Sequence, residues 1–512
     1  MEAASLGRGG PAAYAQAVRE AVEERSRVFW IVVGLTVLGA ALRFATLGVQ
    51  SYHHDEVVTA TRVLGHDFFK TMDVVGYSES APPLYYALAW LWTQLTGTGE
   101  AGLRSLSALA GVATIPVVFF VGAELRDRRA GLVAAALVAV NPMMLWYSQE
   151  ARAYALLVLL CALSLLFCVR ALRNGGRRDF VLWGVFSGLA LATHYFALFP
   201  ILAEAILLAR RRRGASVVGL GVVAGFGVLL APLAIHQMSY GHAEWIGNLS
   251  LGHRLWETAA TFLTGETADV IGRPERPALA IAPLALCLGA FALLALRGGR
   301  QERRAAAVPL LVGGAAIAIP LALAVFASGK DYVLARNLMP ALVPLLVVVA
   351  IGLTLPAARR AGTVLAAGLL AYSLGFCVWA SASPELQRPD WGAVASRLGE
   401  PQAPRATVTW TLGEAPLRHD LDGDAFMVRA ADGYHWLVHE INFVSMGAVP
   451  PPPRGMLGPG FRESGSEEVG QLFIRRYRLA RPGLAPLRLR QLRQAKLEFR
   501  TVGVLVDGVG PG

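Results

Sequence analysis

At 512 residues, with 55% hydrophobic and only 16% charged side chains, the chain is too apolar for a water-soluble enzyme, and a mean hydropathy of +0.48 fits a polytopic membrane protein. Its formal charge of +11 does not mark a nucleic-acid binder, because the arginines fall in short clusters between apolar runs and form no basic face. Cys161, Cys168, Cys287 and Cys377 all lie inside apolar runs with no CxxC pair, so neither a disulfide framework nor a zinc site is supported.

A polar segment, residues 1–27, precedes the first apolar run, Val28 to Gly48. No cleavage pattern follows that run, so it reads as a retained span whose start is held in the cytoplasm by Arg25 and Arg27. Arg43 interrupts it near the outer end, with two roles open: snorkelling to the interface, or holding the next loop in place. That loop, SYHHDEVVTA (Ser51 to Ala60), carries the acidic pair Asp55 and Glu56. A carboxylate at the lip of a span is costly to desolvate and is usually kept for binding or chemistry; a solvated residue ending a helix is the plainer alternative. Glu56 to Phe69 alternates as one amphipathic helix would, and APPLYYALAWLWTQLTG (Ala81 to Gly97) is a proline-led helix rich in tyrosine and tryptophan. Both are expected to lie along the outer leaflet.

The arginine clusters set the register of the remainder. Leu103 to Val121 crosses inward to ELRDRR, Ala130 to Trp146 returns, and Ala153 to Leu172 crosses back to the arginines at 173–178. Phe180 to Tyr195 and Phe196 to Ala209 form a short pair ending at Arg210 to Arg213. Val217 to Ile235, Ala278 to Leu296, Ala305 to Ala327, Leu338 to Leu355 and Gly362 to Ala380 complete eleven expected spans. This register puts every dense arginine cluster on one side of the membrane.

It also gathers the unusual polar residues on the other side. Asp55 and Glu56 follow the first span; Gln149, Glu150, Arg152 and Tyr154 of WYSQEARAY form the next outer turn; His194 of THYF marks the third; Lys330, Tyr332 and Arg336 of SGKDYVLARNLMP mark a later one. Each alone has a structural explanation as a helix cap, a buried polar side chain or a snorkelling cation. After Ser381 the composition turns charged and proline-rich. Asp390 reads as a helix N-cap, and ATVTW and LEFRTVGVLV read as strands, so residues 381–512 are expected to form a small α/β domain outside the membrane. HDLDGDAF (His419 to Phe426) has neither the glycine position nor the closing glutamate of a calcium loop.

The order of these motifs, from the acidic pair through APPLYY, SQEARAY, THYF and ARNLMPALVPLL to QRPDWGAVASRL, resembles the GT-C membrane glycosyltransferases, over about Val28 to Leu398. It is most similar to the branch of bacterial glycosyltransferase family 39, related to protein O-mannosyltransferases, and of the lipid A aminoarabinose transferases. The resemblance implies a plasma-membrane enzyme, catalytic over residues 28–380, that moves a sugar from a polyprenyl-phosphate carrier to a protein, lipid or polysaccharide acceptor on the extracytoplasmic face. Where the family often carries a second acidic motif, this chain has Gln149 and Glu150, with glutamate in place of aspartate.

Chemistry then suggests roles. Phosphate leaves as an anion, so transfer needs a base for the acceptor proton but no strong acid. Asp55 is expected to be that base, with inversion at the anomeric carbon. Glu56, Gln149, Glu150, Arg152 and Tyr154 would orient the acceptor or a divalent ion, whereas Arg336, Lys330, His194 and Tyr332 would hold the donor phosphate. A metal held by Asp55 and Glu150 is dispensable where arginine neutralises the phosphate, and no cofactor is expected. Two alternatives remain at this point: a transporter or flippase for a lipid-linked or anionic solute, and an oligosaccharide polymerase or ligase. A transporter should carry ionisable groups near mid-membrane and paired halves with broken helices, neither of which the sequence displays.

Overall fold

The computed structural model describes residues 11–211, 214–241, 244–266, 276–327, 331–421, 425–427, 436–447, 451–452, 456–487, 492 and 502–508. Lys330, residues 212–213 of the arginine cluster and residues 422–424 of the calcium-like loop lie outside these.

The chain builds a helical membrane domain followed by a small mixed α/β domain. Its long apolar helices are α1 (Pro11–Phe44), α5 (Glu100–Leu125), α8 (Tyr154–Asn174), α11 (Gly214–Met238), α13 (Arg276–Arg297), α14 (Arg300–Phe326), α15 (Leu342–Leu353, entered through the 3-10 turn Ala335–Ala341) and α16 (Arg359–Ala382), with the shorter α12 (Leu251–Thr264) between α11 and α13. By length and composition these supply eight candidate spans among the described residues, and a ninth if the bent pair α6 (Arg128–Val140) and α7 (Pro142–Ser148) counts as one. The other two expected spans are helical but short: α9 (Arg177–Thr193) and the apolar stretch Tyr195–Ala209 containing α10 (Leu198–Ala209). Trp183 Nε1 of α9 donates to the buried Glu204 Oε2 of α10 at 2.7 Å and pins the two together. The span through Ala335–Leu353 is 89% buried by its neighbours and forms the centre of the bundle, whereas α11 is 6% buried and faces outward.

Ion pairs gather the arginine turns at one end of the bundle. Arg126 reaches Glu302 at 2.8 Å, Arg128 reaches Glu24 at 3.1 Å, and Arg173 reaches Glu124 at 2.6 Å. The turn after α5, the first half of α1, the end of α8 and the start of α14 therefore meet, as the register requires.

Between α1 and α5 the expectation of one amphipathic helix over Glu56 to Phe69 fails. A single turn, α2 (His54–Val57), passes into a π-helix at Val58–Val63, and a new helix, α3 (Phe68–Ser78), starts where Asp67 Oδ1 accepts from Phe69 N and Lys70 N at 3.0 and 3.1 Å. Asp67 is a strong N-cap, and a local cap overrides a continuing apolar period. The proline-led helix does form, as α4 (Leu84–Thr96). Its 13 residues span about 20 Å, too short for a hydrocarbon core of about 30 Å.

Arg43 does not snorkel. It is fully buried, and it satisfies a helix break elsewhere: α6 and α7 meet at 56° at Asn141–Pro142, where proline cannot donate a backbone hydrogen bond. Arg43 Nη2 donates to Val138 O at 3.2 Å, Nη1 to Ala139 O and Gly39 O at 3.0 Å, and Nε to Ser148 Oγ at 3.1 Å. Gly111 leaves the room for this, since a Cβ there would meet Ser148 Cβ at 2.9 Å and Arg43 Nε at 3.0 Å.

The C-terminal domain follows α17 (Trp391–Leu398), which Asp390 N-caps through Ala393 N at 2.9 Å, as the sequence suggests. Strands β1 (Arg405–Trp410), β2 (Phe426–Met427), β4 (Glu440–Met446), β5 (Phe461–Val469), β6 (Leu472–Leu479) and β8 (Val502–Asp507) form one sheet in the order β2-β8-β1-β4-β6-β5. Two short strands, β3 (Leu437–Val438) and β7 (Ala485–Pro486), pair separately. Only β1 and β4 run parallel among the pairs of the large sheet, and the adjacent interior strands β1 and β8 are buried along their whole length. Helix α18 (Thr411–Asp420) leads back toward α2, where Tyr52 and His419 lie ring to ring at 5.8 Å. The soluble domain thus sits at the end of the bundle that carries Asp55.

Replacing Arg43 by methionine strands the carbonyls of Val138 and Ala139 in an apolar interior, at about 1–3 kcal/mol for each group. Thermal unfolding in lipid nanodiscs should show a clearly lowered Tm for Arg43→Met and for Gly111→Ala; unchanged melting in both would mean that the α6–α7 break is held by other groups.

Candidate active site

The acidic pair splits into two different residues. Glu56 is fully buried, and four donors surround its carboxylate: Arg104 Nε at 2.7 Å and Nη2 at 2.8 Å, Ala151 N at 2.9 Å and His53 N at 3.0 Å. Arg104 is equally committed, because its remaining N–H groups donate to the carbonyls of Leu47, Gln50 and Ser51 at 3.1, 2.8 and 3.0 Å. Glu56 therefore departs from the expected role of touching acceptor or metal. It fixes the loop, and burial, which would raise its carboxyl, is outweighed by Arg104, so the group stays below the usual carboxylate range.

Asp55, one residue earlier, remains open. Adjacent residues on a helix do not face the same way, so fixing Glu56 inward turns Asp55 outward. Its side chain is 33% exposed, and Oδ2 lies 3.6 Å from Arg336 Nη1, itself 34% exposed. That separation is longer than a direct hydrogen bond and leaves the facing groups available to a ligand. Burial pushes Asp55 up, but Arg152 and Arg336, with His53 and His54, hold its carboxyl well below the usual range. The neighbouring imidazoles of His53 and His54 are pushed down, first by burial.

Around this pair the expected residues take distinct places. Arg152 Nη1 donates to Glu79 Oε2 at 3.0 Å and to Thr59 Oγ1 at 3.1 Å, so the π-turn after Asp55 helps to hold the cation beside it. Glu150 pairs with Arg388 at 3.1 Å, and burial pushes its carboxyl up. Tyr154, Asp55, Tyr147 and Glu266 surround the Arg336 guanidinium. Tyr147 and Tyr154 pack with ring centroids 4.8 Å apart, and His194 lies 5.5 Å from Tyr154. His194 Nδ1 accepts from Phe196 N at 3.3 Å, and Tyr332 packs on Phe196 while its carbonyl accepts from Asn337 Nδ2 at 3.0 Å. Gln149 turns away from Asp55: its Nε2 donates to Arg43 O at 3.0 Å and Thr46 Oγ1 at 2.9 Å, tying the end of α1. The sequence reading missed Arg104, Glu79, Glu266 and Arg388. A charge such as Arg104, just inside an apolar helix, is itself a signal of function or buried pairing.

Among the described residues, the side chains close enough to share a metal ion are Glu100, His419 and Asp420, at the seam with the soluble domain. Neither Asp55 nor Glu150 belongs to that group; guanidinium groups occupy the places next to both.

The fold is that of the GT-C membrane glycosyltransferases, and the chain is a multi-pass membrane protein. Residues 80–236 match the family model of dolichyl-phosphate-mannose-protein mannosyltransferases. Among solved structures, ArnT from Cupriavidus metallidurans bound to undecaprenyl phosphate aligns with a TM-score of 0.52 at 14% identity, covering 87% of this chain and 97% of that one. The arabinofuranosyltransferase AftD from Mycobacteria aligns at 0.46 and 16% identity over 88% of this chain and 40% of that one. The oligosaccharyltransferase AglB from Archaeoglobus fulgidus, in complex with an inhibitory peptide and a dolichol-phosphate, aligns at 0.43 and 12% over 74% and 59%. No curated protein matches the chain.

Breaking the buried pair by Arg104→Gln leaves Glu56 without its main cation. Loss of one partner of such a pair costs about 3–5 kcal/mol. Chemical or thermal unfolding of that variant should register a loss of this size, and a loss below about 1 kcal/mol would remove the pair from its structural role. Because the folded Glu56 carboxyl is depressed, its contribution is present above the ordinary glutamate range near pH 4.3 and fades as pH falls below it.

Proposed function

We propose that this protein transfers a glycosyl group from a polyprenyl-phosphate carrier to a hydroxyl acceptor at the extracytoplasmic face of the plasma membrane, with inversion. The observation that carries the reading is the partly exposed Asp55 carboxylate facing Arg336 at 3.6 Å, at the end of the bundle opposite the arginine turns. The undecaprenyl phosphate in the ArnT structure supports a lipid-phosphate donor for a chain of this fold.

In this reaction the acceptor oxygen attacks the anomeric carbon and passes its proton to Asp55. The bond from that carbon to the phosphate oxygen breaks, and polyprenyl phosphate leaves as an anion gripped by Arg336. Arg152 adds charge beside Asp55, and Glu56 and Glu150 hold the loops through their arginine partners. No metal or organic cofactor is required, because guanidinium groups neutralise the leaving phosphate.

Competition for guanidinium groups explains how a strongly acidic aspartate can serve as a base. Arg152 and Arg336 depress the Asp55 carboxyl against the effect of burial. A donor phosphate pairing with the same guanidiniums weakens that hold, so the Asp55 carboxyl rises on binding and becomes a better proton acceptor. The profile of kcat/KM reports the free enzyme and that of kcat the bound complex. The acid limb of kcat is therefore expected at higher pH than that of kcat/KM.

Protein in lipid, given a panel of radiolabelled polyprenyl-phosphate sugars and membrane acceptors, tests the reading. Asp55→Asn should lower transfer at least about 100-fold with donor binding retained, and Arg336→Ala should weaken donor binding. Wild-type turnover in Asp55→Asn removes Asp55 as the base, and solute counterflow without sugar transfer replaces the enzyme by a transporter.

A further inference from the structure

The segment that leaves the last membrane helix runs through the 3-10 turn Pro384–Leu386 to Gln387, Arg388, Pro389 and Asp390. Connections between domains are ordinarily exposed and held by few contacts. This one is clamped into the site. Arg388 is 4% exposed, its Nη2 donates to Glu150 Oε2 at 3.1 Å, and its Nε lies 3.9 Å from Glu56 Oε2. The guanidinium also lies over the Trp146 ring, 4.2 Å from its centroid, and Nη1 and the backbone N both donate to Gln50 Oε1 at 3.4 Å.

The flanking residues repeat the pattern. Ser51 Oγ donates to Asp390 Oδ1 at 3.1 Å and accepts from Gly392 N at 2.8 Å, while Gln471 of the soluble domain donates to Pro384 O at 2.8 Å. The loop that presents Asp55 is thus held by α5 from one side and by this connection from the other. Glu56 has Arg104 as its own partner; among the described residues, Arg388 is the guanidinium within ion-pair distance of Glu150.

We propose that Arg388 is a positioning residue of the transfer site, joining the loop of Glu56 to the loop of Glu150 and fastening both to the soluble domain, which is thereby a structural part of the active site. The proposal rests on the reading of that site as a centre of glycosyl transfer. Arg388 does not touch the reacting atoms; it acts through Glu150 and Glu56. A cation this deeply buried is kept where two carboxylates need it, because either one left unpaired in the interior is costly.

The consequence is a change in the charge state of Glu150. Charged groups facing it are Arg388, Glu56, Asp55 and Arg152, with the phenols of Tyr85, Tyr147 and Tyr154 nearby. Burial already pushes the Glu150 carboxyl up, and Arg388 is the largest opposing influence. Removing that charge lets Glu150 take a proton at higher pH, breaks the tie between the loops, and moves the acid limb of the rate in the same direction.

The test uses full-length Arg388→Gln and Arg388→Lys in nanodiscs. Infrared titration of the protonated carboxyl band, with Glu150→Gln identifying the Glu150 component, reads the charge state without any reaction; the pH profile of transfer is followed in parallel. In Arg388→Gln the Glu150 titration should rise by about one pH unit, a tenfold gain in proton affinity, and the acid limb of transfer should rise with it. Arg388→Lys, which keeps the charge, should leave the titration within a few tenths of a unit and retain more of the rate. An unmoved Glu150 titration in Arg388→Gln overturns the proposal, as does an equal loss of rate in both variants. If the Glu150 shift is present but wild-type protein transfers no sugar, the positioning role stands and the glycosyltransferase reading fails.

Discussion

A single buried ion pair, Arg104 with Glu56, sets the geometry on which the site depends. Five guanidinium N–H groups meet two carboxylate oxygens and three backbone carbonyls, and the carboxylate in turn accepts from the amides of His53 and Ala151. One side chain of α5 thereby fixes the end of the α1 segment, the α2 turn and the loop before α8. Isolated buried charges are expensive, and this pair is tolerated because no donor or acceptor in it is left over. With Glu56 locked inward, its neighbour Asp55 is turned toward the open face.

Charge around Asp55 favours an incoming anion. Arg336 arrives from the entrance to the central helix and Arg152 from the loop after α7, both close to one carboxylate that remains partly exposed. A phosphate entering there finds donors already oriented, which is how preorganised sites stabilise a leaving anion without reorganising at the moment of reaction. In the proposed reaction, the same contest between Asp55 and phosphate for guanidinium groups couples donor binding to basicity. The soluble domain, seated on the Asp55 loop through Ser51, Tyr52 and the connection at 387–392, closes this arrangement from the side away from the bundle.

Much of this was legible in the sequence, for reasons that can be named. Apolar runs between arginine clusters located the helices, because bilayer thickness and charge sorting leave few registers open. The same register brought Asp55, Glu150, Arg152, Tyr154, His194 and Arg336 to one end from distant parts of the chain. What failed was local. The apolar period of Glu56 to Phe69 concealed a π-turn and the Asp67 cap, and neither alters the alternation that suggested one helix. Gln149 looked like part of an acidic motif yet ties down α1, and Arg43, which the sequence left between snorkelling and holding the next loop, repairs the break at Pro142. Periodicity reports which face of a helix is apolar; it does not report which carbonyl a bent neighbour leaves unpaired. Arg104 and Arg388 escaped notice because each is defined by its partner, and partners are set by tertiary structure.

The position of a bound phosphate decides whether Asp55 and Arg336 form the transfer site. Cryo-electron microscopy of the full-length protein in nanodiscs, saturated with a polyprenyl phosphate, should place the phosphate in contact with the Arg336 guanidinium and within reach of Asp55, with the Arg104–Glu56 pair unchanged. A phosphate found instead at the arginine turns of the opposite end, or an Asp55 carboxylate sealed off from it by protein, would contradict the account.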